Sequence, residues 1–342
     1  MMQHWRKLAL DQNPIQRMLA RLQQFLTLGA MTIACGWLGW CWHLRQPGLG
    51  LLGAAALVVG YATLLGLEFA LMRLQGRGRH AQRASLAQLL RAWWGEVCEA
   101  PRVFCWRQPF RSTRWPDQIP VGSAATCGVV LVHGYVCNRG LWNAWLQRLT
   151  QQGTPFIAVN LEPVFGSIDD YVPVIESAVS RLQAATGRPP LAVAHSMGGL
   201  ALRRWWVEHG RPSSPRGASR IAHAVTLGTP HHGTWLARFA FSRNARQMRL
   251  GSPWLRALQQ RDSPDFAALC TCYYSHCDNI VFPIETATLP GADNRHLAAV
   301  AHVHMADHPE PWAHVLDFLA QSGDLDGKDP LAGQDHAGIH LA

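Results

Sequence analysis

The sequence predicts an α/β fold, a mostly parallel sheet with helices on both faces, preceded by a transmembrane helical hairpin. Three observations predict it. Across residues 128–319, short apolar runs alternate with segments of helical spacing, the pattern of strands joined through helices. Ahead of them, residues 25–42 and 47–67 hold no charged side chain for 18 and 21 positions. Charge divides along the same line: residues 1–127 carry 14 Lys and Arg against 5 Asp and Glu, and residues 128–342 carry 17 against 17.

Composition narrows the classes. The chain of 342 residues is 48% hydrophobic and only 15% charged, which excludes a disordered chain and implies that part of it lies outside water. The neutral C-terminal part offers no basic face for nucleic acid, so no nucleic-acid partner is expected. Nine cysteines show no paired metal spacing, Cys270-Thr271-Cys272 being C-x-C, and a reducing compartment is the simpler reading.

Both uncharged stretches reach the roughly 20 apolar residues that a bilayer core requires of a helix. A cleaved signal peptide fits poorly: a 24-residue lead precedes the first stretch, no small-residue cleavage site follows Trp40-Cys41-Trp42, and a second span comes directly behind. Arg6, Lys7, Arg17 and Arg21 precede the first span, only Arg45 lies in the turn, and Arg73, Arg77, Arg79, Arg83 and Arg91 follow the second. Basic flanks stay in the cytoplasm, so both ends are expected there, with Trp37, Trp40 and Trp42 near the outer interface. Glu68, the carboxylate beside the second span, is expected to snorkel toward the interface. The segments expected are a basic N-terminus (1–24), two transmembrane helices (25–72), a basic Trp-rich connector (73–126), the α/β domain (127–321) and a flexible tail (322–342) bearing His336 and His340. In the connector, Leu86, Leu89, Leu90, Trp93 and Trp94 recur at helical spacing, for a helix lying on the membrane or packed on the domain.

Strands are expected at residues 128–134, 156–159, 190–194, 221–227 and 269–274, with helices at 172–182, 197–209 and 312–319. Parallel sheets bind ligands at the carboxyl ends of their strands. The third strand runs directly into Ala194-His195-Ser196-Met197-Gly198 and then a helix. Small residues two before and two after the serine permit a tight strand-to-helix turn that projects its hydroxyl, and the helix start behind it supplies backbone N–H groups. Ser196 is therefore the expected nucleophile, with the Met197 N–H as one oxyanion donor.

VVLVHGY at 129–135, AHSMGG at 194–199, VTLGTPHHGT at 225–234, SHCDNIVFP at 275–283 and, more weakly, AHVHMADHP at 301–309 resemble the α/β-hydrolase superfamily in its bacterial lipase and esterase branch. The resemblance covers residues 127–321 and not the N-terminal part; its serine pentapeptide begins with Ala where the family pattern has Gly. It implies an α/β-hydrolase fold and makes Asp278 the acid, in Asp-x-Ile-Val-x-Pro after the fifth strand. It makes His302 the base, by its spacing to Met305 and Pro309, with His304 as the alternative. It makes Tyr135 the second oxyanion donor. Asp262, Asp265 and Asp293 lack the strand-end context. His133 is expected to be structural, and His231 and His232 to shape a loop beside the site, too few to hold a metal. The apolar segment 234–266 is expected to cap the site.

The function expected is a membrane-anchored serine hydrolase of carboxylic esters, a lipase or esterase acting on a lipophilic ester beside membrane lipid, with no cofactor and no metal. Acyl transfer or thioester hydrolysis by the same triad, and a non-catalytic membrane scaffold or transport accessory, are the alternatives. The resemblance places the chain in a bacterial inner membrane, its hydrolase domain in the cytoplasm. A chain beginning near Gln118 is expected to keep its rate on short, soluble esters.

Overall fold

A computed structural model describes residues 5–6, 18–75, 83–120, 126–211 and 219–324. Arg77 and Arg79, most of the basic N-terminus, and His336 and His340 lie outside the described residues.

Two helices, α1 (Met18–His43) and α2 (Pro47–Gln75), form an antiparallel hairpin through a short turn at Arg45. Both are long and apolar enough to cross a membrane. At 1.5 Å per residue their uncharged stretches span about 27 and 31 Å, matching a hydrocarbon core of roughly 30 Å. Phe25 and Ile33 on α1 and Leu51, Val58 and Leu64 on α2 are exposed, so neither is an ordinary core helix. They touch the rest of the protein at several points: Gln23 bonds Gln108, the Trp93 indole donates to the Ala62 carbonyl at 2.9 Å, and Phe69 and Met72 pack beside Cys277, Phe282 and Ala301.

The connector forms α3 (Leu86–Pro101), started by a capping box in which Ser85 and Gln88 satisfy each other's backbone N–H. This helix packs on the domain. Leu89, Ala92 and Glu96 turn inward, while Leu86, Leu90 and Trp94 stay exposed on the other side.

The domain then alternates β1 (Val129–Val132), α4 (Asn143–Gln152), β2 (Phe156–Ala158), α5 (Val172–Thr186), β3 (Leu191–His195), α6 (Met197–Trp205) and β4 (His223–Leu227). Short helices α7 (Arg243–Gln247), α8 (Pro253–Arg261) and α9 (Pro264–Ala268) fill the segment before β5 (Cys270–Tyr274), β6 (Asp293–His296) and the closing α10 (Pro309–Asp324). The sheet is parallel throughout, in the order β2-β1-β3-β4-β5-β6.

Side chains alternate between the two faces of each strand. On one face Val130, Val132, Ala192 and Ala194 meet Ile175, Val179, Leu182, Leu200 and Trp205 of α5 and α6. On the other Val129, Leu131, Leu191 and Val193 meet Trp145, Leu146, Leu149 and Val315 of α4 and α10. Both faces are covered, so the strands at the sheet centre, β1 and β3, read as near-continuous apolar runs.

One strand departs from the sequence reading. Asp293–His296 lies at the sheet edge, its residues mostly exposed, so it carries no apolar signature. Asp293 is thus an edge-strand residue and bonds Arg295.

Candidate active site

Ser196 sits at the junction of β3 and α6 with φ +55°, a left-handed conformation rare for a side-chain-bearing residue. Its N–H donates to Leu227 O on β4 at 2.8 Å, and its carbonyl accepts from the Thr229 hydroxyl at 3.0 Å. The turn is tight enough that a Cβ on Gly198 would stand 2.5 Å from the carbonyl oxygen of His133. Glycine is required there by contact.

Asp278 follows β5 and His302 follows β6, both at the carboxyl edge of the sheet beside Ser196. The Ser196 hydroxyl lies 2.9 Å from His302 Nε2, and His302 Nδ1 lies 2.9 Å from Asp278 Oδ2. A carboxylate only accepts, so Nδ1–H donates to Asp278 and Nε2 is left to accept from the serine hydroxyl. The other oxygen, Asp278 Oδ1, accepts from the N–H groups of Ile280 and Val281 at 2.9 and 2.8 Å. All three residues are buried.

Burial pulls the His302 pKa down, but the charge and hydrogen bond of Asp278, with support from Glu96, outweigh it and hold the imidazole above its ordinary value. Burial drives His133 down to about 4, and burial followed by His302 drives His195 down to about 3. Both are neutral near pH 7. His133 accepts from the Leu161 N–H at 3.0 Å. His195 Nε2–H donates to His302 O at 3.0 Å, with the two rings 4.7 Å apart.

Met197 opens α6 directly behind Ser196. Tyr135 follows β1; its hydroxyl meets Ser242 at 3.0 Å and its ring packs edge-on against Phe165. His304 turns away from Ser196 toward α3, its ring against Gly95. Buried His231 bonds Thr226, and His232 bonds Gln259. Among the described residues no group of three or more His, Cys, Asp or Glu gathers as metal ligands would. In the segment 234–266, Met248, Leu255 and Leu258 enter the core, whereas Phe239 and Phe241 are exposed.

Glu68 corrects the sequence reading. It does not snorkel: its carboxylate accepts from Asn279 Nδ2 at 2.6 Å. Hydropathy places Glu68 at a helix end but says nothing about a partner 211 residues away. Glu96 lies in no motif, and His195 and Asn279 lie inside the quoted stretches without a role assigned by them; the fold brings all three beside Asp278 and His302.

No protein-family model matches the sequence, nor does any curated protein. Among solved structures, a mature lipase from Bacillus licheniformis superposes with a TM-score of 0.50 at 16% identity, over 59% of this chain and 96% of that one. The chain has the α/β-hydrolase fold. Lipase B of Aspergillus fumigatus (TM-score 0.48, 19% identity) matches over 59% of this chain, which spans only 55% of that protein. Naproxen esterase of Bacillus subtilis (0.35, 14%) matches over 60% of this chain and 89% of its own. In this chain of α/β-hydrolase fold the hairpin and the connector precede the sheet, and the order Ser196, Asp278, His302 along the sequence is the one usual for the fold.

Proposed function

We propose that the protein is a membrane-anchored serine hydrolase of lipophilic carboxylic esters. The observation that carries this is the relay Ser196–His302–Asp278, with 2.9 Å at each step and the aspartate fixing the imidazole tautomer. Ser196 Oγ attacks the ester carbonyl as His302 Nε2 takes its proton. The N–H groups of Met197 and Tyr135 are the oxyanion donors in this reading. Collapse expels the alcohol, protonated by His302, and leaves an acyl-enzyme; water, activated by the same imidazole, then releases the acid.

Two exposed apolar helices of bilayer length support anchoring, and the basic flanks support a cytoplasmic domain. Exposed Phe239 and Phe241, with the Tyr135–Ser242 contact beside the serine turn, support segment 234–266 as an apolar cap for an acyl chain. The test is turnover of a nitrophenyl ester series by the full chain in detergent. Ser196→Ala should leave less than about a tenth of wild-type turnover in a folded protein, because losing a triad member costs far more than that. Retained turnover sinks the assignment. Products formed with an added alcohol acceptor separate acyl transfer from hydrolysis.

A further inference from the structure

Two carboxylates from outside the α/β domain reach the loops that carry the acid and the base. Glu96 on α3 is 1% exposed, and its two oxygens accept from the backbone N–H groups of Val303 at 3.0 Å and His304 at 3.1 Å. These are the two residues directly after His302. Beside it, a Cβ on Gly95 would stand 2.6 Å from His304 Nδ1, so α3 lies flush against the loop. Glu68 on α2 accepts from Asn279 Nδ2, and Asn279 Oδ1 accepts from the His302 N–H at 3.2 Å. Asn279 also adjoins Asp278 in sequence. A buried carboxylate is costly to ionise and persists where the groups that it binds would otherwise be orphaned. Here those groups are the main chain of the histidine loop.

We propose that Glu96, together with Glu68 acting through Asn279, is a positioning residue for His302. The connector helix α3 and the end of α2 thereby hold the general base at hydrogen-bond distance from Ser196. This deepens the hydrolase reading and rests on it.

The ionisable groups around this cluster are Tyr61 and Glu68 from α2, His302 and His304 from the histidine loop, Asp278 from the acid loop, and His195 beside the imidazole. Burial pushes the Glu96 carboxyl up to about 7, against the opposing pull of its two N–H bonds and of His302. Its charge in turn helps hold the His302 pKa up, as does that of Glu68 to a smaller degree. Removing the Glu96 charge therefore has a signature that mere loosening lacks: the imidazole pKa falls and the acid limb of activity moves to lower pH.

The experiment uses the full chain in detergent micelles. Histidine-selective ¹⁵N NMR reads the titration of the His302 ring, assigned by its loss in His302→Ala. Labelling of Ser196 by a fluorophosphonate and turnover of nitrophenyl butyrate are followed against pH. Glu96→Gln should lower the His302 pKa and slow labelling roughly tenfold, the scale of a small misplacement of a catalytic group. Glu96→Asp keeps the charge without the reach, so it should recover the pKa while labelling stays slow. Glu68→Gln should shift the titration in the same direction by less. A folded Glu96→Gln protein with wild-type titration and labelling overturns the proposal. Where that variant does not fold, an unchanged titration in Glu68→Gln overturns it instead. A wild type that is labelled yet turns over no ester defeats the hydrolase reading alone, and the titration still decides the role of Glu96.

Discussion

In the proposed mechanism the imidazole of His302 sets the pH behaviour of the site. Its pKa is raised, with the Asp278 charge outweighing burial. The base must be neutral to accept the serine proton, so kcat/KM should rise with pH through a value above that of an ordinary histidine. Asp278→Asn removes that charge, so the same limb should shift to lower pH while the rate falls by orders of magnitude, about 10⁴-fold where a triad aspartate has been replaced in this way. A pH–rate profile of both proteins checks this, and an unmoved limb contradicts it. A raised histidine pKa also means that folding takes up a proton. Its contribution to stability is fully present below the unfolded value and is lost as pH rises through the folded one. Glu96, raised to about 7, acts in the same sense: its folded form keeps a proton that the unfolded chain has released, so its contribution falls between the ordinary carboxylate range and about pH 7. His304→Ala should cost far less turnover than His302→Ala, because the His304 ring packs on α3 and not on the serine. Equal losses in purified variants contradict that placement.

At the scale of elements, legibility followed burial. Strands β1 to β5 were readable because both faces are covered and their side chains are mostly apolar, with Thr226 and Thr271 the buried polar exceptions. The edge strand β6, Asp293-Asn294-Arg295-His296, was not, because exposed pairing at a sheet edge is made by backbone and leaves no hydrophobic period. Helix α4 is likewise faint in the sequence, its apolar Trp145, Leu146 and Leu149 set among polar neighbours. The serine turn was legible because a tight strand-to-helix corner dictates small residues at fixed offsets. The contacts of Glu68, Asn279, His195 and Glu96 were not, since their partners lie far off in sequence and no spacing rule links them. Core and site separate along the helices. Leu182, buried near the carboxyl end of α5, faces the sheet at the end opposite Ser196. Leu182→Ala should cost about 2–5 kcal/mol of stability, the range for a large-to-small core change, with turnover per folded molecule unchanged. Thermal denaturation alongside active-site titration measures both. A loss of turnover without a loss of stability contradicts this division.

At the scale of the whole molecule, the N-terminal 117 residues are more than an attachment. The sequence alone treats them as separable, so a chain beginning near Gln118 is expected to keep its rate on soluble esters. The contacts of that segment argue for the opposite outcome. Deletion would remove Glu96 from the histidine loop, buried Val103 from one core face, and Arg107 from its ion pairs with Glu99 and Asp307. It would also remove Gln108, whose carbonyl accepts from Asn138. The truncated protein should lose turnover on short and long esters alike, measured on matched amounts of folded protein. Retained rates on short esters alone would restore the picture of a simple anchor. Whether Ser196 is a nucleophile driven by His302 and Asp278 is decided by mass spectrometry of the full chain after reaction with a fluorophosphonate. A single adduct on Ser196 is expected, absent in Ser196→Ala and strongly slowed in His302→Ala. An adduct on another residue, or equal labelling in the His302→Ala protein, would contradict it.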